Sequence, residues 1–318
     1  MKNTLLLCAA IIIFIASCKK PDTTPSVIST YPTYSSLDTI YQMLEVKPKY
    51  VTVNGATGGP FYGTSGTRYI IPPNCLQNGA GNPVTTNVQF EVAEYLKKGD
   101  MIFSKMLPIS DGEPLMSGGE ISINATLAGQ PIYLRPGGCK VSATIPKDKD
   151  TVSGMHFFVG QPNNDTANNL VNWRKNDSLP SGAIIYNGDT IVIISDSFGK
   201  CNADRFLTSP NYQTFSVTVS MPTNITYDST KFRGMALYDN YKGLWPLGDR
   251  MHADYNHKVY TEKHIPNVPI HFAIYGLQNN RFYAGVTAAT PKTGENYTVT
   301  LTETDPAAFK AQLNNLTK

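Results

Sequence analysis

Cys18 is the residue whose neighbours most sharply define a chemistry. Ile15-Ala16-Ser17 in front of it is the small-residue pattern that bacterial lipoprotein signal peptidase cuts, so cleavage would leave Cys18 as the acylated first residue of the mature chain. Lys2 supplies a positive n-region and residues 5–16 an apolar h-region of about a dozen residues, short of the roughly 20 that a membrane-spanning helix needs. A second pattern lies in the hydroxyls. Eight of the sixteen aspartates are followed by Ser or Thr, where about three would be expected by chance. In seven of those runs the next residue is Thr, Ala or aliphatic, which makes Thr23, Thr39, Thr151, Thr166, Ser178, Thr190 and Ser229 candidates for O-glycosylation. The competing reading is that Asp-Thr starts strands after turns. A third pattern is Tyr238, Tyr241, Trp245, Asp249 and Tyr255, where aromatic faces beside carboxylates suit stacking on sugar rings. The alternative there is a long loop whose Trp245 packs into its own domain.

Other chemistries lack their residues. The histidines at 252, 257, 264 and 271 never fall four apart, so no helix face offers a zinc pair, and no metal site or cofactor is expected. Gly63-Thr64-Ser65-Gly66-Thr67 misplaces the second glycine of a nucleophile elbow and reads as a turn. Asp148 and Asp150 are spaced as in a calcium loop, but Val152 takes the third oxygen position. Glu91 and Glu94 are three apart on a strand and so face opposite sides, which spoils them as a paired acid and base. No catalytic constellation emerges.

Charge limits the partners. Loss of residues 1–17 removes one basic residue, Lys2, from 27 and none of the 24 acidic ones, and only 16% of the chain is charged. There is no footprint for nucleic acid and no polybasic patch for a membrane surface, so lipid on Cys18 would carry membrane attachment. Of five cysteines, Cys8 leaves with the signal and Cys18 is the anchor. Cys75, Cys139 and Cys201 remain, either as one pair with a free thiol or as three buried small side chains.

The elements that must position these residues are mostly strands. Residues 19–36 are rich in Ser, Thr, Pro and Tyr and read as a tether. Leu37, Ile40, Tyr41 and Leu44 then recur at helical spacing, as a short helix or an extended linker. Residues 69–71, 88–95, 121–127, 131–134, 140–145, 156–159, 183–186, 190–194 and 214–221 read as strands. In the later part 232–238, 268–275, 281–288 and 297–301 do the same. Within 88–94, Val88, Phe90 and Val92 point one way and Gln89 and Glu91 the other. Residues 160–182 form a polar stretch around Trp173. Asp305-Pro306, with Phe309, Leu313 and Leu316, marks a short terminal helix. The expectation is an all-β chain: signal peptide 1–17, tether 18–48, a β-sandwich domain 49–210, and a second β-sandwich domain 211–318 ending in that helix.

Gly58-Gly59-Pro60-Phe61-Tyr62-Gly63, the Ile70-Ile71-Pro72-Pro73-Asn74 that follows, Gly81-Asn82-Pro83-Val84 and the strand 88–94 resemble the opening of the ZU-type β-sandwich domain of ankyrins and netrin receptors. The likeness covers about 45 residues. With Lys98-Gly99-Asp100-Met101, Ser117-Gly118-Gly119, Trp173 and Cys201-Asn202-Ala203-Asp204-Arg205-Phe206, the whole layout is similar to surface lipoproteins of Bacteroidota that carry such a sandwich and a second β domain. The Asp-Ser/Thr runs likewise resemble the O-glycosylation signal of exported Bacteroidota proteins. The resemblance implies a scaffold. Some eukaryotic relatives cleave themselves at His-Phe-Ser, but His156-Phe157-Phe158 and His271-Phe272-Ala273 lack the attacking hydroxyl. Lys19, where an inner-membrane retention signal would have Asp, points to the outer membrane, on its periplasmic or cell-surface face. The expected role is non-catalytic binding or structural support, with a glycan or an envelope protein as partner. The alternatives are an envelope hydrolase, whose mark would be a cleft with two carboxylates about 5 to 9 Å apart, and a subunit of a larger surface complex.

Overall fold

Apolar alternation in short runs, broken by Gly and Pro turns, produces strands almost throughout. The computed structural model describes residues 30–147, 154–162, 170–176, 184–207, 212–223, 225–247 and 259–316. Helix α1 (Leu37–Leu44) comes first, capped by Ser36, whose Oγ accepts from the Thr39 N–H at 3.2 Å. Strands β1 (Lys49–Asn54), β2 (Gly59–Tyr62), β3 (Arg68–Ile71), β4 (Leu76–Gln77) and β5 (Asn87–Tyr95) lead to helix α2 (Lys98–Phe103). Then come β6 (Ile109–Ser110), β7 (Glu113–Leu127), β8 (Gln130–Pro131), β9 (Tyr133–Leu134) and β10 (Val141–Pro146). The first half ends with β11 (His156–Pro162), β12 (Val171–Lys175), β13 (Ile184–Asn187), β14 (Thr190–Ser195) and β15 (Gly199–Phe206). The second half holds β16 (Tyr212–Ser220), β17 (Phe232–Tyr238), β18 (Leu244–Pro246), β19 (Val259–Pro266) and β20 (Ile270–Gln278). It closes with β21 (Arg281–Ala289), β22 (Asn296–Thr300), β23 (Thr302–Glu303) and α3 (Pro306–Asn314).

In the first half, a sheet ordered β1-β5-β7-β15-β11-β12 packs on a sheet ordered β13-β14-β10-β3-β2. Phe90 and Ile123 from one meet Tyr69, Ile145 and Ile193 from the other in a single apolar cluster. The period of two that put Val88, Phe90 and Val92 on one face of β5 is what builds that layer. In the second half, β19-β16-β22 packs on β18-β17-β20-β21-β23, with Val217 and Val299 against Phe272 and Tyr283. The β16 and β22 pair is parallel.

A third apolar cluster joins the halves. Ile40 of α1, Phe103 of α2, Trp173 of β12, Tyr275 and Phe282 of the second half, and Phe309 of α3 share it, and the chain from Tyr31 to Lys318 forms one compact unit. The later part of the segment expected as a tether is therefore folded from Tyr34 onward, because the helical period of Leu37, Ile40, Tyr41 and Leu44 gives α1 an apolar stripe to bury. Inside the stretch expected to be polar, β12 forms, and Trp173 is fully buried with its Nε1 donating to the Leu107 carbonyl at 3.0 Å. The terminal helix stands where the sequence places it: Asp305 accepts from the Ala307 and Ala308 N–H groups at 2.6 and 3.0 Å, and Phe309 and Leu313 are buried. Cys75 and Cys139 form a disulfide across 64 residues, and Cys201 is a buried free thiol.

Candidate functional site

The outer face of the first sheet carries rows of polar side chains set by register. Tyr50 pairs with Glu91 and Glu91 with Asn124; Thr52 pairs with Gln89, Gln89 with Thr126, and Thr126 with Pro131. Directly paired residues of an antiparallel ladder point to the same face, so the rows form a continuous polar strip. The charge of Glu91 pushes the phenol of the exposed Tyr50 above its ordinary pKa. The segment 131–140 and the turn after β14, residues 196–198, meet part of this strip. There an open groove of about 1090 Å³ is lined by Glu91, Asn124 and Thr126 of the strip and by Tyr133, Arg135 and Lys140 of that segment.

The groove wall is fastened at several points. The disulfide ties Cys139 to Cys75, the Arg135 N–H donates to the Cys75 carbonyl at 2.9 Å, and its guanidinium donates to the Asn74 carbonyl at 3.1 Å. Phe198 meets the buried Phe90 edge to face at 5.5 Å, which seats the other wall on the core. No histidine and no free thiol line the groove.

A different polar cluster lies beneath the surface. Glu120 on β7 and Asn202 and Asp204 on β15 have no solvent exposure, and Ser117 and Lys242 are nearly as buried. Asn202 Nδ2 donates to Asp204 Oδ2 at 2.5 Å and reaches Glu120 Oε1 at 3.4 Å, while Asn202 Oδ1 accepts from Ser117 Oγ at 3.0 Å. Because both carboxyls touch one nitrogen, those oxygens are at most about 6 Å apart. A β-bulge creates the arrangement. Asn202 pairs with Glu120 and Asp204 with Ser117, so Gly118 and Gly119 together oppose Ala203, and Gly119 takes φ +136°. The cluster sits at the seam with the second half, where the Ser117 N–H donates to the Lys242 carbonyl at 2.8 Å.

Burial, and next the charge of Asp204, holds the Glu120 carboxyl well above the usual carboxylate range; burial does the same to Asp204. Glu120 Oε2 and Asp204 Oδ1 have no hydrogen-bond partner. Among the described residues no lysine stands within ion-pair distance of either. Two neighbouring carboxyls are thus present but sealed, and neither lines the groove. Another buried carboxylate, Glu94, is structural: it accepts from the Ser65 N–H at 2.5 Å and the Thr67 N–H at 2.9 Å and so holds the turn 63–67. A Cβ on Gly63 would run into that carboxylate, which explains the glycine. His271 Nδ1 lies 2.6 Å from Asp239 Oδ1, both partly exposed, and among the described residues no hydroxyl or thiol completes a nucleophilic set.

The residues singled out from the sequence are dispersed. Cys18, Thr23, Thr151, Thr166, Ser178, Asp249 and Tyr255 lie outside the described residues. Thr39 is exposed on α1 with its hydroxyl near those of Ser35 and Ser36 at 2.9 and 3.1 Å, and Thr190 is half-buried and donates to the Asn187 carbonyl at 2.8 Å. Ser229 begins a short 3-10 turn. Tyr238, Tyr241 and Trp245 are buried in the core of the second half, the two tyrosine rings stacked at 5.0 Å, so their faces meet protein rather than solvent. No local pattern in the sequence marks the groove as a site. The available signal was the wet face of 88–94, but the partner wall comes from a loop that only the disulfide and the sheet register bring near. No protein-family model and no curated protein matches the chain.

Proposed function

We propose that this chain is a lipid-anchored envelope protein, akin to ZU-type surface lipoproteins, that acts by binding rather than by catalysis and uses the groove as its contact surface. The observation that carries this reading is the groove itself: about 1090 Å³, open to solvent, with its wall fastened by the disulfide of Cys75 and Cys139. Pre-formed concave surfaces with a few convergent polar groups are the usual form of a binding site. The disulfide also supports export, since such bonds persist in oxidising compartments. The pattern ending at Cys18 supports the lipid anchor and the outer-membrane address, and modification at the Asp-Ser/Thr runs belongs to the same proposal.

A photo-crosslinking side chain placed at Tyr133, in the full chain within its own envelope, tests the contact surface. Adducts of defined mass are expected there and not from the same probe at Tyr62, which is exposed but outside the groove. Equal labelling at both places, or none at Tyr133, overturns the reading. In the same cells, Cys18→Ala is expected to release the protein from the membrane fraction.

A further inference from the structure

We infer that the occupant of the groove is a neutral oligosaccharide, an inference that rests on the binding role proposed above. Size comes first. At about 1090 Å³ the groove stands at the upper end of the volumes that ligands occupy and stays open to water, which leaves room for an oligomer. Charge comes second. The charged lining residues are Glu91 and Asp196 against Arg135 and Lys140, two of each sign, so neither an anionic nor a cationic ligand is favoured.

Third, the long strands behind the groove offer no free edge, and its lining includes several uncharged polar side chains. One common way to hold an extended peptide is to add it as a strand to a free sheet edge. Here β5 lies between β1 and β7, and β7 between β5 and β15, so neither offers an edge. The Ile132 N–H donates to the Ala125 carbonyl at 2.9 Å, the Arg135 N–H is already used, and Pro131 and Pro136 have no N–H. The uncharged polar side chains of the lining are the amides of Gln77 and Asn124 and the hydroxyls of Thr126 and Ser197, beside the Tyr133 ring, which is 49% exposed. Amides and hydroxyls meet sugar hydroxyls, and an exposed ring meets the apolar face of a pyranose.

The test uses the purified full chain on a printed array of neutral and acidic oligosaccharides together with a hexapeptide library, followed by titration calorimetry on the best-retained probe. Retention of neutral oligosaccharides is expected, weakened by about tenfold or more in Tyr133→Ala and kept in Tyr133→Phe, with the unfolding midpoint of both variants unchanged. Retention of acidic glycans only, of peptides only, or of nothing overturns the inference, as does neutral-glycan binding that Tyr133→Ala leaves intact. Peptide capture that depends on Tyr133 removes the sugar and leaves the binding role standing. Failure to crosslink at Tyr133 in the envelope removes both.

Discussion

Glu120 and Asp204 are two acidic side chains without solvent exposure, brought together at a β-bulge. Each carboxyl is held above its ordinary pKa by burial, so the folded state binds protons more tightly than the unfolded chain. The groups facing Glu120 are Asp204 and Lys200 from β15, Tyr95 from β5 and Lys242 from the second half. The two lysines oppose the upward shift without cancelling it. For an acid with a raised folded pKa, the stabilisation is complete below the unfolded value, near 4.5 for Glu120, and is lost as pH rises toward the folded value. Stability is therefore expected to fall from mildly acidic toward alkaline pH. Glu120→Gln, which keeps an oxygen for Asn202 and cannot ionise, is expected to flatten that slope and to raise stability at pH 8 relative to the parent. Urea unfolding of both proteins at pH 5 and pH 8 checks it, and parallel pH dependence would refute it. Cys201 behaves more simply: burial pushes its thiol up to about 12, which leaves it inert at neutral pH.

At the scale of elements, local pattern decided those whose partners are near in sequence. The hairpin of β13 and β14 turns at Gly188, with φ +56°, and α3 starts on its Asp-Pro cap; both are readable because the turn and cap residues carry their own backbone preferences. Strand β15 was not legible. Cys201 and Ala203 alternate with Asn202 and Asp204, which reads as one buried and one wet face, yet the second half covers the polar face as well. Helix α3 shows what the elements hold together. Phe309 stands 5.7 Å from the Tyr275 ring, 5.9 Å from Phe282 and 6.5 Å from Phe103, so one side chain joins α2 and the sheet of β20 and β21. Phe309→Ala is expected to cost about 3–5 kcal/mol, measurable as a lower denaturant midpoint. A loss under about 1 kcal/mol would show that this contact bears little of the stability.

For the whole molecule, the cluster shared by α1, α2, β12, β20, β21 and α3 couples the two sheet systems. Calorimetry is expected to show a single unfolding transition for the chain, and two well-separated transitions would contradict a shared core. Reduction of the bond between Cys75 and Cys139, which closes a 64-residue separation, is expected to cost about 2–4 kcal/mol and to lower that transition by several degrees. Binding in the groove should weaken with it, because the bond anchors the wall that carries Tyr133 and Arg135.

From its residue pattern alone this chain is committed to strands, to one wet face on β5, to the Asp305 cap and to the absence of any local catalytic signature. These follow from backbone preferences and periodicity, which act within a few residues. Only the tertiary structure decided that Glu120 and Asp204 are sealed, that Tyr238, Tyr241 and Trp245 face the core, and that segment 131–140 meets the polar strip at a groove. Each of those depends on which surface lies opposite, and that is set by sheet register, a bulge and a disulfide joining residues far apart along the chain.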